Sequence, residues 1–223
     1  MNPRISVVII TRNEEQKIEA CLQSILWADE IIIVDDMSLD RTRDICAKYP
    51  VKIFVREMTD FALQRNFGMQ QAAGEWIFSI DADERVTPEL QVEIAAVVKN
   101  SRLDAYFIAT KNIMLGRWMR HGGWYPERHI RLFRKDKASW DGAVHEKIRL
   151  NKKSSAGFLK QPLIHESHPD ISEFSRMLNF YASFEAQNTP VEQIKNTLFF
   201  MVFRPVYIFI KRYFLLLGFL DLQ

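Results

Sequence analysis

The chain has 223 residues, 48% hydrophobic and 26% charged, with Lys+Arg 30 against Asp+Glu 28 and a formal net charge of +2. These values exclude a disordered, collagenous or low-complexity chain, and a polycation built for nucleic acid. Two cysteines, Cys21 and Cys46, are too few for a disulfide scaffold and stand at no metal-ligand spacing, so a reducing compartment is expected.

The apolar run of residues 5–10 predicts a strand buried on both faces. It is too short for a secretory signal and leads straight into Thr11-Arg12-Asn13-Glu14-Glu15. Asn13 and the two glutamates read as a helix start, and Ile18, Cys21, Leu22, Ile25 and Leu26 follow at helical spacing. Ile31, Ile32, Ile33 and Val34 predict a second buried strand, stopped by Asp35-Asp36. A polar turn, Ser38-Leu39-Asp40, opens a second helix through Ile45, and residues 51–55 form a short third strand. A helix over 61–73 ends at Gly74, and a fourth strand over 76–80 stops at Asp81-Ala82-Asp83. Thr87-Pro88-Glu89 starts a further helix with Pro in its first position. Strands alternating with helices of this length imply a mainly parallel sheet with right-handed crossovers, an α/β fold.

Residues 105–165 carry short apolar pieces (106–109, 130–133, 143–148, 158–163) separated by glycine and charge, and predict mixed strands and loops. Asp170-Ile171-Ser172-Glu173 resembles a capping box. Ile171, Phe174, Met177, Leu178, Tyr181 and Phe184 behind it make an amphipathic helix. From 198 to 220 the chain is rich in aromatic and aliphatic residues but interrupted by Arg204, Pro205, Lys211 and Arg212. That interruption rules out a spanning helix and fits a helix lying in the membrane interface; a buried core helix is the alternative. The expected division is residues 1–165, within which 1–110 and 111–165 form two halves, followed by a helical tail over 166–223.

Charge is unevenly spread. Residues 1–110 hold 12 Lys/Arg against 18 Asp/Glu (net −6), residues 111–153 hold 12 against 4 (net +8), and residues 154–223 hold 6 against 6. The acidic half can hold a metal and the basic middle can meet an anionic partner.

The acids of the first half follow strand ends, which is where open α/β sheets bind ligands. Asp81-Ala82-Asp83 places two carboxylates around one small residue, a donor set suited to Mg²⁺ or Mn²⁺ bridging to a diphosphate. A bare pair of this kind is common by chance. Here it is joined by Asp35-Asp36 and Thr11/Asn13 at neighbouring strand ends, and by Arg65 and Asn66 on the helix just upstream.

The segments SVVIITRNEEQKIEACLQSI, ADEIIIVDDMSLDRT, QRNFGMQQAAGEWIFSIDADE and RLFRKDKASWDGAVHEKI resemble glycosyltransferase family 2, in particular small bacterial members that add sugar to the lipopolysaccharide inner core, of the β-1,4-glucosyltransferase kind. The resemblance runs in order along nearly the whole chain. It implies a GT-A fold, Rossmann-like with a mixed, mainly parallel sheet, a nucleotide-sugar donor that is UDP-linked, a divalent Mg²⁺ or Mn²⁺ ion, and inversion at the anomeric carbon. On the matching positions, Thr11, Asn13 and Glu14 line the nucleotide pocket, and Asp35 and Asp36 contact base and ribose. Arg65 sits near the nucleotide or its phosphates, Asp81 faces the ribose or donor sugar, and Asp83 binds the metal most directly. The sequence departs from the family in lacking a QxxRW motif. Members of this kind often continue past a GFLDG segment, where this chain reads GFLDLQ, which leaves a truncated C-terminus open.

Inversion needs a base for the acceptor hydroxyl. Asp141, His145 and Glu146 are the candidates, and Val144-His145-Glu146 matches the family's VHE block, which favours Glu146. His145 then completes the metal site or positions the acceptor; His165 and His168 form a weaker pair without a third ligand. In the basic middle, Arg117, Arg120, Arg128, Arg131, Arg134 and Lys135 interleave with Trp118, Trp124, Tyr125 and Trp140. Aromatic faces can stack on sugars and arginine pairs well with phosphate, so Trp124, Arg131 and Trp140 are expected to bind an anionic glycolipid acceptor. The acidic half argues against nucleic acid. The expected setting is the cytoplasmic face of the membrane, with the tail touching its surface.

Three other readings compete. One is glycosylation of a polyprenyl phosphate or other lipid carrier, and another is a catalytically silent sugar-nucleotide module. The third is a haloacid-dehalogenase-like phosphatase, whose DxDx[TV] pattern meets Arg85 at its last position. Dehydrogenase and P-loop motifs are absent.

Overall fold

The computed structural model describes residues 4–100, 102–142, 146–168, 170–188 and 197–222. The chain divides into two compact units, one of Met1–Thr110 with Arg128–His165 and one of Lys111–Glu127 with Glu166–Gln223. Residues 111–127 gather with the tail in the second unit.

The first unit is built on β1 (Ile5–Thr11), α1 (Ile18–Ile25), β2 (Glu30–Asp35), α2 (Thr42–Cys46), β3 (Lys52–Val55), α3 (Phe61–Gln71), β4 (Trp76–Ser79), β5 (Glu84–Arg85) and α4 (Pro88–Asn100). Its later strands are β6 (Ala105–Met114), whose last residues belong to the second unit with β7 (Arg117–Trp118), then β8 (Glu127–Arg134), β9 (Ala138–Asp141), β10 (Lys147–Leu150), β11 (Ala156–Phe158) and β12 (Leu163–His168). The sheet order is β3-β2-β1-β4-β8-β6-β12-β5, and β11 also pairs with β6. The β1, β2, β3 and β4 strands run parallel, and β8 is antiparallel to β4. A mainly parallel sheet flanked by helices is therefore borne out. Val7, Ile9, Ile33, Trp76 and Phe78 fill one side with α1 and α4, while Val8, Ile32, Ile77 and Phe133 fill the other with α3. Both faces of the central strands are covered, which is why they read as unbroken apolar runs.

Because β1, β2 and β4 are parallel, their carboxyl ends share one rim, as the acidic stops imply. The strand register sets Thr11 beside Asp35 and Val8 beside Ser79, two residues before Asp81.

Several boundaries differ from the sequence reading. The first helix begins at Ile18, not at Asn13. Asn13 has φ +54, and its backbone N–H donates to Ser38 Oγ while its side chain accepts from Leu39 N–H. Glu14 and Glu15 give their N–H groups to Thr42 and Asp40. Residues 13–15 are thus tied to residues 38–42, and the positive φ at Asn13 excludes a right-handed helical turn there. Ser38-Leu39-Asp40 forms the expected polar turn, and α2 starts at Thr42, whose N–H and hydroxyl donate to Asp40. The apolar piece 158–163 splits between β11 and β12, and the piece at 143–148 yields a strand only from Lys147; residues 143–145 lie outside the described residues.

In the second unit, the end of β6 turns back into β7 through Leu115 and Gly116, both at positive φ, a two-residue hairpin turn. Helix α5 (Ile171–Asn188) starts as its capping pattern implies, and α6 (Thr197–Phe209) contains Pro205 and runs on into a π-helical stretch (Ile210–Leu215) and a 3-10 turn (Gly218–Leu222). His121 bonds Asp221 twice, through its backbone N–H and its ring, both at 2.8 Å, and Gly122 N–H donates to Leu216. The tail leaves Phe203, Tyr207 and Leu215 more than half exposed. Among the described residues no helix is long and apolar enough to cross a membrane.

Candidate active site

Two groups of side chains meet the rim of the first unit. At the β1 and β2 ends, Asp35 is fully buried and accepts from the backbone and hydroxyl of Ser38. Asp36 accepts from Arg12 and from Met58 N–H, both at 2.8 Å. Thr11 is buried, and its hydroxyl has no hydrogen-bond partner among the described residues.

At the β4 end lies a charge network. Arg65, from α3, reaches Asp81 Oδ1 at 2.7 Å and Glu146 Oε1 at 2.8 Å. Arg131, from β8, places both terminal nitrogens 3.1 Å from Asp81 Oδ2 and one of them 2.6 Å from Glu84. Glu84 in turn accepts from the backbone of Asp81. Burial works to raise Asp81, but Arg65 and Arg131 outweigh it and hold the carboxyl well below the usual range. Burial raises Glu84, with the Asp81 charge adding to it, against the pull of Arg131. Arginine suits this place because one planar fork can serve two carboxylates.

Asp83 turns the other way and meets His165 Nε2 at 3.1 Å. The strand pairing of β5 with β12 puts His165 opposite Glu84. Burial opposes charge on the imidazole, but the Asp83 hydrogen bond and the nearby carboxylates push it up to about 9. Among the described residues no three His, Cys, Asp or Glu side chains form a metal cage. Asp81 has both oxygens bound to arginine, whereas Asp83 is engaged through Oδ2 with His165. A carboxylate such as Asp83 fits a Mg²⁺ or Mn²⁺ ion that would take its other ligands from phosphate and water.

Beside the network opens a cavity of about 540 Å³ lined by Arg65, Asp81, Arg128, Trp140, Glu146 and Lys147, among others. Trp140 is clamped to Asn66 by two 2.9 Å hydrogen bonds and carries the Arg65 guanidinium 4.7 Å above its ring.

The structure thus brings Arg65, Asp81, Glu146 and Arg131 into one cluster, with Asp83 at its edge, and sets Thr11, Asn13, Glu14, Asp35 and Asp36 along the same rim. Of the three residues expected at the acceptor, Arg131 and Trp140 line the cavity while also contacting Asp81 and Arg65, and Trp124 belongs to the second unit, where Arg212 stands 5.6 Å from its ring. His145 lies outside the described residues. Sequence reasoning did not single out Glu84 and gave His165 little weight. Glu84 is adjacent to the acidic pair and could have been found there; His165 meets Asp83 across 82 positions and carries no local signal. Asp81, the nucleophile position of the phosphatase alternative, has both oxygens engaged by arginine.

The family model described as glycosyl transferase family 2 matches residues 6–156. An uncharacterized glycosyltransferase of Rickettsia typhi is 27% identical over 95% of this chain and 77% of its own length. The lipopolysaccharide core biosynthesis glycosyltransferase LpsC of Rhizobium meliloti is 28% identical over 94% of this chain and 80% of its own. Among solved structures, S. aureus TarS in complex with UDP-GlcNAc aligns with a TM-score of 0.55 at 19% identity, over 77% of this chain and 61% of TarS. Mannosyl-3-phosphoglycerate synthase of Rubrobacter xylanophilus aligns at 0.54 and 16% identity, over 87% of this chain and 77% of its own. The chain spans less than two thirds of the TarS structure, and both alignments speak to the fold alone.

Proposed function

Because the chain belongs to glycosyltransferase family 2, with its GT-A fold, we propose that it moves a hexose, glucose, from a UDP-sugar to a lipopolysaccharide inner-core or related anionic glycolipid acceptor, with inversion. The observation that carries this reading is the cluster in which Arg65 joins Asp81 to Glu146 at the wall of an open cavity on the strand-end rim. Similarity to LpsC supports the acceptor class, and the fold shared with a UDP-GlcNAc complex supports the donor class.

In this reading, Thr11, Asn13, Glu14, Asp35 and Asp36 shape the nucleoside end. Asp81, fixed by two arginines, presents a rigid wall to the donor sugar. Glu146 takes the proton from the acceptor hydroxyl as its oxygen attacks the anomeric carbon, on the face opposite the departing UDP. Arg65 orients that carboxylate and stands ready for negative charge on the diphosphate. Asp83 would hold a Mg²⁺ or Mn²⁺ ion, whose charge would offset that of the leaving group, and His165 would orient that carboxylate through its hydrogen bond.

The tail supports a peripheral place at the cytoplasmic face of the membrane. Its exposed Phe203, Tyr207 and Leu215 share a short segment with Arg204, Lys211 and Arg212, the composition of an interfacial helix. The same apolar tail favours, as a second reading, an acceptor on a polyprenyl phosphate or other lipid carrier.

The test is calorimetric titration of wild type and Asp83→Ala with UDP, GDP, ADP and CMP, each with and without Mn²⁺. UDP binding that requires Mn²⁺ and disappears in the variant is the expected result. A folded wild type that binds no nucleotide with metal overturns the reading.

A further inference from the structure

The cations of the cavity fall into two classes. Arg65 and Arg131 are buried, and every carboxylate near them is already engaged. Arg128 and Lys147 line the same cavity, are exposed, and have no carboxylate partner among the described residues. Lys147 stands opposite Asp141 in the β9–β10 pairing, yet Asp141 makes its ion pair with Arg149. Arg128 rests instead over the ring of Phe158, 5.8 Å from its centroid. Phe158 is 66% exposed and stacks on Phe107, a wall residue of the cavity, with ring centroids 5.1 Å apart. The β6–β11 register makes these two rings direct neighbours.

Two unpaired cations and an exposed aromatic step at the mouth of a cavity that also holds Glu146 have a chemical meaning. Exposed lysine and arginine are ordinary on a surface. Here they converge on one opening, while the acids inside that opening are neutralised by other arginines. The opening therefore carries net positive charge beside an apolar ledge, and an oxyanion attached to a sugar ring satisfies both features.

We propose that Arg128 and Lys147 form the subsite for an acidic substituent of the acceptor, a phosphate monoester or a sugar carboxylate, with the Phe107–Phe158 step beneath the adjoining ring. This rests on the transferase reading and deepens it: the substrate class becomes an oligosaccharide whose charge lies close to the reacting hydroxyl. The two cations are specificity determinants. Both are exposed, so replacing them leaves the core and the buried network in place.

The experiment titrates wild type and Arg128→Gln/Lys147→Gln with deacylated lipopolysaccharide core oligosaccharide in three forms: native, dephosphorylated and carboxyl-reduced. The wild type is expected to bind the native form roughly tenfold more tightly than one of the modified forms, and the double variant to lose that preference. Loss of affinity on dephosphorylation assigns a phosphate; loss on carboxyl reduction assigns a sugar acid. Equal binding of all three forms by the wild type overturns the proposal, as does a double variant that keeps the preference. A fall in UDP affinity in the double variant also overturns it, by assigning the cations to the donor. UDP binding by the wild type, measured alongside with Mn²⁺, reads the transferase assignment independently.

Discussion

The strand-end rim of the first unit and the tail of the second treat charge and oil in opposite ways. At the rim, Arg65, Arg131 and Glu84 are almost completely buried, and each is paired. In the tail, Phe203, Tyr207 and Leu215 stand largely in solvent. Burying charge costs free energy that pairing only partly returns, and exposing apolar surface forgoes the main driving force of folding. Neither arrangement is what stability alone selects. The first holds dipoles and charges rigid before a ligand arrives, and the second keeps apolar area available for something other than the chain's own core.

The sharpest way to break this contrast is to remove the side chain given the proton. Glu146→Gln keeps the shape and one acceptor for Arg65 but cannot take a proton. Transfer should fall on the order of 10³-fold, while UDP binding and the melting temperature stay near wild type; single-turnover kinetics and calorimetry check both. Retained transfer moves the base elsewhere, with Asp141 and His145 next in line. Arg65→Lys asks a different question. A point charge cannot serve Asp81 and Glu146 together, so transfer should drop by some 10²-fold or more even though the charge is conserved. Wild-type rates in that variant would show that preorganisation by the fork is unimportant.

Much of the rim could be read from the sequence because parallel strands give a simple code. An apolar run followed at once by acid marks the carboxyl end of a buried strand, and 31–34 before Asp35 and 76–80 before Asp81 both follow it. The loops did not read as well. Asn13, Glu14 and Glu15 look like a helix start because their residue types also serve loop-to-loop hydrogen bonds, and the winner depends on a partner some 25 to 28 residues away. Arg131 and Trp140, expected at the acceptor on side-chain chemistry, line the cavity, but their contacts to Asp81 and Arg65 carry no local sequence signal. His165 could not be connected to Asp83 because their meeting needs the antiparallel β5–β12 pairing, which no local pattern announces.

A buried charge on the same sheet, far along the strands from the rim, offers a control for how pairing affects stability. Glu30 accepts from Lys52, Ser6 and Ala73 N–H. Burial raises its carboxyl, but those hydrogen bonds overcome it and lower it from 4.5 to about 2. A depressed folded-state value contributes stability that is complete above the unfolded value and is lost as pH falls from about 4.5 toward 2. At 1.36 kcal/mol per pH decade the contribution is about 3 kcal/mol. Glu30→Gln should therefore lower stability by roughly that amount at pH 7 and flatten the acid limb below pH 4.5, as read by urea titrations across pH. An unchanged acid limb would show that Glu30 is not the group being titrated.

The smallest expected effect lies in the tail and tests whether its exposed surface is used as proposed. Lys211 stands in the π-helical stretch among exposed apolar residues, and a basic residue near an anionic membrane surface contributes about 1 kcal/mol. Lys211→Ala should weaken co-sedimentation with vesicles containing phosphatidylglycerol by about fivefold and leave binding to neutral phosphatidylcholine vesicles unchanged. Phe203→Glu with Tyr207→Glu should weaken both, because those side chains contribute apolar area instead of charge. If the paired glutamates change neither, while the oligomeric state by sedimentation shifts toward the monomer, the apolar surface serves a second copy of the chain. The contrast between rim and tail would then separate a ligand site from a subunit interface, and the membrane role would fall.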